Sequence, residues 1–434
     1  MSVSLKAAVK PLLPVTIPQG NIRYAPGVRA GRWVFATGHK AVRNFAGPIM
    51  PEVVRAGLPG WDRPKLQREA AQIFRNVETV MRAGGTELRN VVRVDQNYTV
   101  PRAVELYHDV RRAVMKDHIP PSTSTLAEGL LLKDQEIEVH MLGVVPGPGF
   151  RPLHIRPKDQ EVHASSGYSL ALAAGDFVFI AGRMADGLRF GEGLAAEARM
   201  PEGHLWKGMP IRLEAEVILK RKIEPALKAA GSSLANVVKL QVYLRDVNDF
   251  APLNQVLNKY FPRAKPAVTL IPTATPGFFL TDARIEINAI ALRDGGRTRK
   301  RIIDAGVLPA FGGYSQAVRA GDLLFISGML AIDRNGLVAS ARPDPSQPYY
   351  GSGIRAQMQH LLGNAEKLCR KAGTSLANVV RVQQYHTDLH EFQAAYDVWA
   401  EHLPGQHLPF SAVNVPFLPV PGCTVQLDLW VYVP

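Results

Sequence analysis

The chain has 434 residues, 46% of them hydrophobic and 21% charged, enough to bury a sizeable core and more than one average domain needs. Lys and Arg number 51 against 38 Asp and Glu, a net charge of +13 with a pI of about 9.7. That excludes an acidic disordered chain, and charge of this kind speaks of solubility and nonspecific attraction rather than of chemistry.

From the N-terminus, Met1 to Val15 carries Lys6 and Lys10, but Pro11 and Pro14 interrupt its short apolar stretch. A secretory signal is not expected, no apolar run reaches bilayer length, and the cytoplasm is the expected location. Two cysteines, Cys369 and Cys423, are too few for a disulfide scaffold or a four-cysteine metal site. The string A-G-R-W-V-F-A-T-G-H then opens at Ala30 and returns as A-G-D-F-V-F-I-A-G-R from Ala174 and A-G-D-L-L-F-I-S-G-M from Ala320, intervals of 144 and 146 residues. A second signature, L-R-N-V-V-R-V, L-A-N-V-V-K-L and L-A-N-V-V-R-V, places its asparagines at Asn90, Asn236 and Asn378. Two markers with nearly one period imply three copies of a unit of about 145 residues. Pro146-Gly147-Pro148-Gly149 and the basic run after Asp294-Gly295-Gly296 read as connections, giving units over 1–150, 151–296 and 297–434.

The third unit shows the element order. Leu323 to Ser327 is a short apolar run between Gly321 and Gly328, a buried strand. Ile354, Met358, Leu361, Ala365, Leu368 and Ala372 recur at helical spacing and Gly373 closes the helix. Val379 to Tyr385 is a second strand, Asp388 starts a helix to about His402, and Ser411 to Val415 and Thr424 to Val433 are the last strands. The order β, α, β, α, β, β predicts an α+β unit with helices on one face of a sheet. Pro225 predicts a kink in the first helix of the second unit.

Gly313-Tyr314-Ser315-Gln316-Ala317, the A-G-D-L-L-F-I-S-G string and the A-G-T-S-L-A-N-V-V run together resemble the RidA/YjgF family of enamine and imine deaminases. The resemblance implies a chorismate-mutase-like α+β fold, used by the family as homotrimers with a small-molecule pocket at each subunit interface. Three tandem copies in one chain then form an intramolecular pseudo-trimer, alone or in a higher homo-oligomer, whose pockets are free to diverge. The family's P-A-R arginine, which clamps a substrate carboxylate, is replaced by Thr123 in Pro121-Ser122-Thr123, Val268 in Pro266-Ala267-Val268 and Ser411 in Pro409-Phe410-Ser411. Loss of a bidentate clamp weakens carboxylate binding by about two powers of ten, so a generic 2-imino-acid deaminase is not expected. The family's E-I-E glutamate, which orders the attacking water, is matched by Glu136 and Glu286, whereas Gln426 cannot take a proton.

Asp134, Glu136, Glu138 and His140 alternate with apolar residues and share one strand face, so His140 is a candidate proton shuttle beside a carboxylate. Arg284 shares a face with Glu286 and is a candidate ligand clamp. His39, Arg183 and Met329 follow the repeat glycines, where His39 or Arg183 suits an anionic ligand, and Tyr24, Tyr168, Tyr314 and Ser315 are candidate pocket walls. Trp61, Trp206 and Tyr349-Tyr350 lie in long segments suited to roofing pockets.

No phosphate-binding, dinucleotide or nucleophile-elbow motif occurs, and His386 and His390 lack a metal-site pattern, so no cofactor or metal is implied. The expected function is hydrolysis of a C–N bond in an imine, enamine or related small nitrogen compound bound between units. Water is ordered by Glu136 or Glu286, with Thr123 or Arg284 helping to bind the ligand. Neither a membrane nor a nucleic acid is an expected partner. Two other readings stay open: a non-catalytic small-molecule binding protein, and an RNA-binding or ribonuclease protein prompted by the basic pI.

Overall fold

The computed structural model describes residues 9–58, 62–158, 160, 166–187, 192–308, 313–347 and 352–434. Trp61, Tyr349 and Tyr350 lie outside the described residues, and Trp206 stands exposed in a loop. No helix among the described residues is long and apolar enough to cross a membrane.

The class is α+β, as expected. Three sheets share one strand order. The first runs Val9–Leu12, Gly27–Ala30, Trp33–His39, Ile137–Val144, Val91–Tyr98, Ser122–Leu126. The second runs Leu153–Ile155, Ala171–Ala174, Phe177–Arg183, Ile285–Leu292, Val237–Leu244, Ala267–Pro272. The third runs Lys300–Ile303, Ala317–Ala320, Leu323–Ile326, Val425–Tyr432, Val379–His386, Phe410–Asn414, and takes Gly129–Leu130 of the first unit onto its edge. In each sheet the strand after the first helix and the strand after the second are parallel partners, and the intervening crossover helix makes that pairing possible. The two strands that open each sheet are absent from the element order read in the sequence. They are three or four residues long, one holds Pro11, and so they carry too little alternation to be read.

One face of each sheet is covered by two helical segments. In the third, Gly353–Ala372 buries Ile354, Met358, Leu361, Ala365, Leu368 and Ala372. Gly373 ends it at φ 84°, where only glycine is free of strain, and Thr374 N–H donates to the carbonyl of Cys369. At Pro225 the second unit's helix is irregular rather than broken. Met209–Val217 continues through a π-helical turn, Ile218–Ile223, into Glu224–Ala229. Proline cannot donate to the carbonyl four residues back, and that carbonyl, on Arg221, accepts from Gln160 Nε2 at 3.3 Å instead.

The other faces of the three sheets meet in one shared core built from Trp33, Phe35, Phe177, Phe179, Phe325 and Trp430 with valines from all three inner strands. Trp33 meets Phe177 edge-on at 5.1 Å, and Phe325 meets Trp430 at 5.0 Å. Each such ring contributes about 4 to 6 kcal/mol of apolar burial, as an upper bound. This core holds the sheets against one another and leaves three seams where their edges meet.

Candidate active site

The register of the closing strands sets which side chains occupy the seams. Glu138 stands opposite Asn97, Glu286 opposite Tyr243, and Gln426 opposite Tyr385. Ile137-Glu138-Val139-His140, Ile285-Glu286-Ile287-Asn288 and Val425-Gln426-Leu427-Asp428 are therefore equivalent. The match of Glu136 to Glu286 is corrected by two residues to Glu138. Glu136 precedes the strand, and its carboxylate pairs with Lys65 at 2.5 Å. The backbone amides of Glu136 and Ile137 both donate to Glu69 Oε1, which fixes the strand start.

A similar correction applies to the hydroxyl position. Asp95 faces Thr123, Gln241 faces Thr269, and Gln383 faces Ser411. The second unit has one more residue after its proline, so Thr269 rather than Val268 stands there, and all three positions carry a hydroxyl. Each seam joins the closing strand of one sheet to this hydroxyl-bearing strand of another, and the three form a closed circuit.

Between the first and third sheets, Ser411 Oγ–H donates to Glu138 Oε1 at 2.5 Å. The same oxygen accepts from His140 Nε2–H at 3.2 Å and Asn97 Nδ2 at 3.3 Å. Gly38 N–H donates to His140 Nδ1 at 3.1 Å, which leaves the ring proton on Nε2 and makes His140 an orienting donor rather than a shuttle. Burial raises the Glu138 pKa, but His140, Lys40 and Ser411 outweigh it and hold the carboxyl below its ordinary value. His39 Nε2–H donates to the Pro26 carbonyl, and burial pushes the ring down to about 3. Tyr24 donates to the Thr37 carbonyl at 2.5 Å. Both side chains are committed to backbone.

Between the third and second sheets the contacts are also closed. Gln426 Nε2 donates to the Leu270 carbonyl at 2.8 Å, Gly328 N–H donates to the Val268 carbonyl, and Ser315 Oγ–H donates to the Lys265 carbonyl. Thr269 Oγ1 accepts from Lys239 Nζ at 2.7 Å. Tyr314 is packed in the second sheet's core.

Between the second and first sheets the occupants differ. Glu286 is 6% exposed and has no hydrogen-bond partner among the described residues. Its carboxyl lies over Gly182, where a Cβ would fall 1.8 Å from Oε1. Burial pushes Glu286 up to about 8, with Arg183 opposing and Asp186 and Asp95 adding. Asn288 Nδ2 donates to Thr123 Oγ1 at 2.9 Å, while its Oδ1 is buried and unbonded. Tyr168 packs against the core of the first sheet, and burial raises its pKa with the Arg183 charge opposing. Arg284 is not in this group. It pairs with Asp249 at 2.8 Å and Asp246 at 3.2 Å on the helix side.

Where the three inner strands converge lies a buried charge network that the sequence did not announce. Arg93, Lys239 and Arg381 are equivalent by register. Asp95 binds Arg93 and Arg381, and Asp428 accepts from Lys239 at 2.8 Å and Gln241 at 2.7 Å. Burial raises the Asp95 pKa, yet its two arginines hold it down at about 2. The network adjoins the seams by register: Asp428 and His140 occupy the strand position that Asn288 occupies between the second and first sheets.

A family model described as endoribonuclease L-PSP matches residues 158–293 and 306–433. A RutC family protein of Pyrococcus horikoshii is 37% identical over 127 residues, 29% of this chain and 87% of that protein. A 2-iminobutanoate/2-iminopropanoate deaminase of Dermatophagoides farinae is 28% identical over 125 residues, 29% of this chain and 84% of that protein. The crystal structure of RidA from an Antarctic Psychrobacter species is 30% identical with a TM-score of 0.25, and covers 31% of this chain and 99% of that one.

Proposed function

Because this chain belongs to the endoribonuclease L-PSP family, we propose that it hydrolyses the C–N bond of a small imine or enamine in the seam between the second and first sheets, with Glu286 as the acid. One observation carries the reading. Of the three equivalent positions, Glu138 and Gln426 are bonded across their seams, and Glu286 alone is an unbonded acid. Its equivalence to two sealed positions argues that it has been kept free for a ligand.

The steps follow from its charge state. At neutral pH the protonated carboxyl donates to the imine nitrogen, and the carbon becomes a better electrophile. Water adds to that carbon, and the Glu286 carboxylate takes the proton the water gives up. The proton passes to nitrogen, and the Glu286 carboxylate then takes the hydroxyl proton as the C–N bond breaks, so that ammonia leaves, a carbonyl compound forms and the acid is restored. The unbonded Asn288 Oδ1 is placed to accept from the substrate's N–H, and the Thr123 hydroxyl retains its own proton to donate. A seam in which the acid is 6% exposed suits a small molecule and does not suit a polynucleotide.

The reading includes the architecture. Units over 1–150, 151–296 and 297–434 are taken as three tandem copies closed into a pseudo-trimer, and the shared strand order and closed circuit of seams support it. The test is ammonia release from a panel of small imines and enamines generated in situ by amine and amino-acid oxidases, with and without a carboxylate. Glu286→Gln is expected to abolish it with an unchanged fold, and full turnover by that variant defeats the proposal.

A further inference from the structure

We propose that His118 and His154 form an acid-sensitive clasp that holds the second unit to the first at neutral pH and lets it go when the pair takes up protons. The clasp joins the same two units whose seam holds Glu286, and it does not depend on the reaction assigned to that seam.

His118 stands between the helix Ala103–Met115 and the strand Ser122–Leu126 of the first unit, and His154 lies on the strand Leu153–Ile155 of the second. Their rings meet edge-on with centroids 4.8 Å apart, and both are half-buried. Each partner dictates where the ring protons sit. A carbonyl can only accept, so His118 Nε2 carries hydrogen and donates to Val91 at 2.7 Å. In the neutral ring Nδ1 is then bare, and His154 Nε2–H donates to it at 2.8 Å. That leaves His154 Nδ1 to accept from the Ser169 hydroxyl. Three hydrogen bonds thus run in one direction, from the second unit to the start of the strand Val91–Tyr98, and they need both rings neutral. Ser169 N–H adds a backbone bond to the Ile119 carbonyl at 3.0 Å.

Added protons break this order. One enters only by reversing the bond between the rings and the bond to Ser169, and two set N–H against N–H across 2.8 Å. The charge they bring meets no counter-charge. Arg156 adds its own positive charge to His154, and Arg111 donates within the same joint to Ser122 Oγ at 2.9 Å and the Ser166 carbonyl at 2.7 Å. Lys116 and Asp117, next to His118, are exposed, and no carboxylate bonds either ring among the described residues. Burial holds both imidazoles below their ordinary value of 6.5. The closed joint therefore binds fewer protons than the open one, so its hold is full above that value and is lost as pH falls through the depressed ones.

The joint between the third and second units is built otherwise. The Val237 carbonyl, at the start of its strand as Val91 is, accepts from Lys300 Nζ at 2.6 Å. Burial pushes that lysine down only to about 8, so it stays charged through the acid range and this joint has no such response.

The experiment is amide hydrogen exchange of the intact chain at about pH 7.5 and about pH 5, read as protection relative to the intrinsic rate at each pH. Segments 116–122 and 166–172 should lose at least about tenfold in protection in acid, while 263–269 and 313–318, at the other joint, change less than about twofold. A double variant, His118→Gln with His154→Gln, carries amides that donate and accept without titrating, and should keep the first joint closed at both pH values. Flat protection in the unaltered protein, equal loss at both joints, or acid loss that persists in the double variant overturns the clasp. If the double variant is already open at neutral pH, the comparison of the two joints in the unaltered chain decides.

Discussion

Ser411 and Glu138, 273 residues apart in the chain, share a hydrogen bond of 2.5 Å across the seam between the third and first sheets. In the neighbouring seam the equivalent pair, Thr123 and Glu286, makes no such bond, and the threonine hydroxyl oxygen accepts from Asn288 Nδ2 instead. One strand position thus holds an ionised carboxylate in one seam and a neutral acid in another. What distinguishes them is the set of donors each environment supplies.

The neutral acid gives a pH signature. Glu286 keeps its proton in the folded chain up to about pH 8, whereas in the unfolded chain it releases it near 4.5. The folded state then holds more protons across that window, so stability falls as pH rises from about 4.5 to 8, by about 3 to 5 kcal/mol for this group. Glu286→Gln should flatten that slope and be the more stable protein at pH 8. Thermal unfolding of both proteins between pH 5 and 9 checks it, and parallel slopes count against the assignment.

The bonded glutamate should behave in the opposite sense. The Glu138 carboxyl is held below its ordinary value, so its contribution is present above about 4.5 and is lost as pH falls through the depressed value. Ser411→Ala removes one charged hydrogen bond and should cost about 1.5 to 3 kcal/mol in urea unfolding. Acid unfolding should also begin at higher pH, while turnover in the other seam is untouched.

The central network should show strong coupling. Lys239 and Asp428 are both buried and bonded at 2.8 Å. Lys239→Met or Asp428→Leu alone strands the partner charge and should cost about 3 to 5 kcal/mol. The double variant should lose far less than the sum, and a double-mutant cycle by denaturant unfolding measures the difference.

Gly182 offers a substitution that separates chemistry from folding. A Cβ there meets the Glu286 carboxyl at 1.8 Å, and the flexible head of that side chain is what must move. Gly182→Ala should therefore reduce turnover at least about tenfold, with a change in melting temperature of only a few degrees. Loss of fold without loss of specific activity in the remaining folded protein is the contrary result.

How far the sequence discloses this is clearest around strand Ile137–Val144. Alternation correctly groups Glu138 with His140, but it admits Glu136 equally, and only hydrogen-bond register shows that pairing begins at Ile137. The repeated Ile-Glu step at Ile285-Glu286 was the available signal. Thr269 escapes because one added residue shifts the frame after Pro266. Arg183 and Arg284 look alike as cations on strands, and what separates them is distant: Asp249 and Asp246 lie 35 and 38 residues before Arg284. The helices are legible because a 3.6-residue period repeats several times within each. Which sheet faces which has no local pattern at all, and neither does the network of Arg93, Asp95, Arg381, Lys239 and Asp428, whose members alternate like any polar strand face.

Gly129 and Leu130, reaching from the first unit to extend the edge beside Phe410–Asn414, tie the N-terminal third of the chain to its C-terminal third. With continuous peptide linking all three parts, these contacts form within one molecule, and their strength does not depend on how many molecules are present. The cleft holding Glu286 should accordingly survive at dilutions where an assembly of separate subunits would come apart.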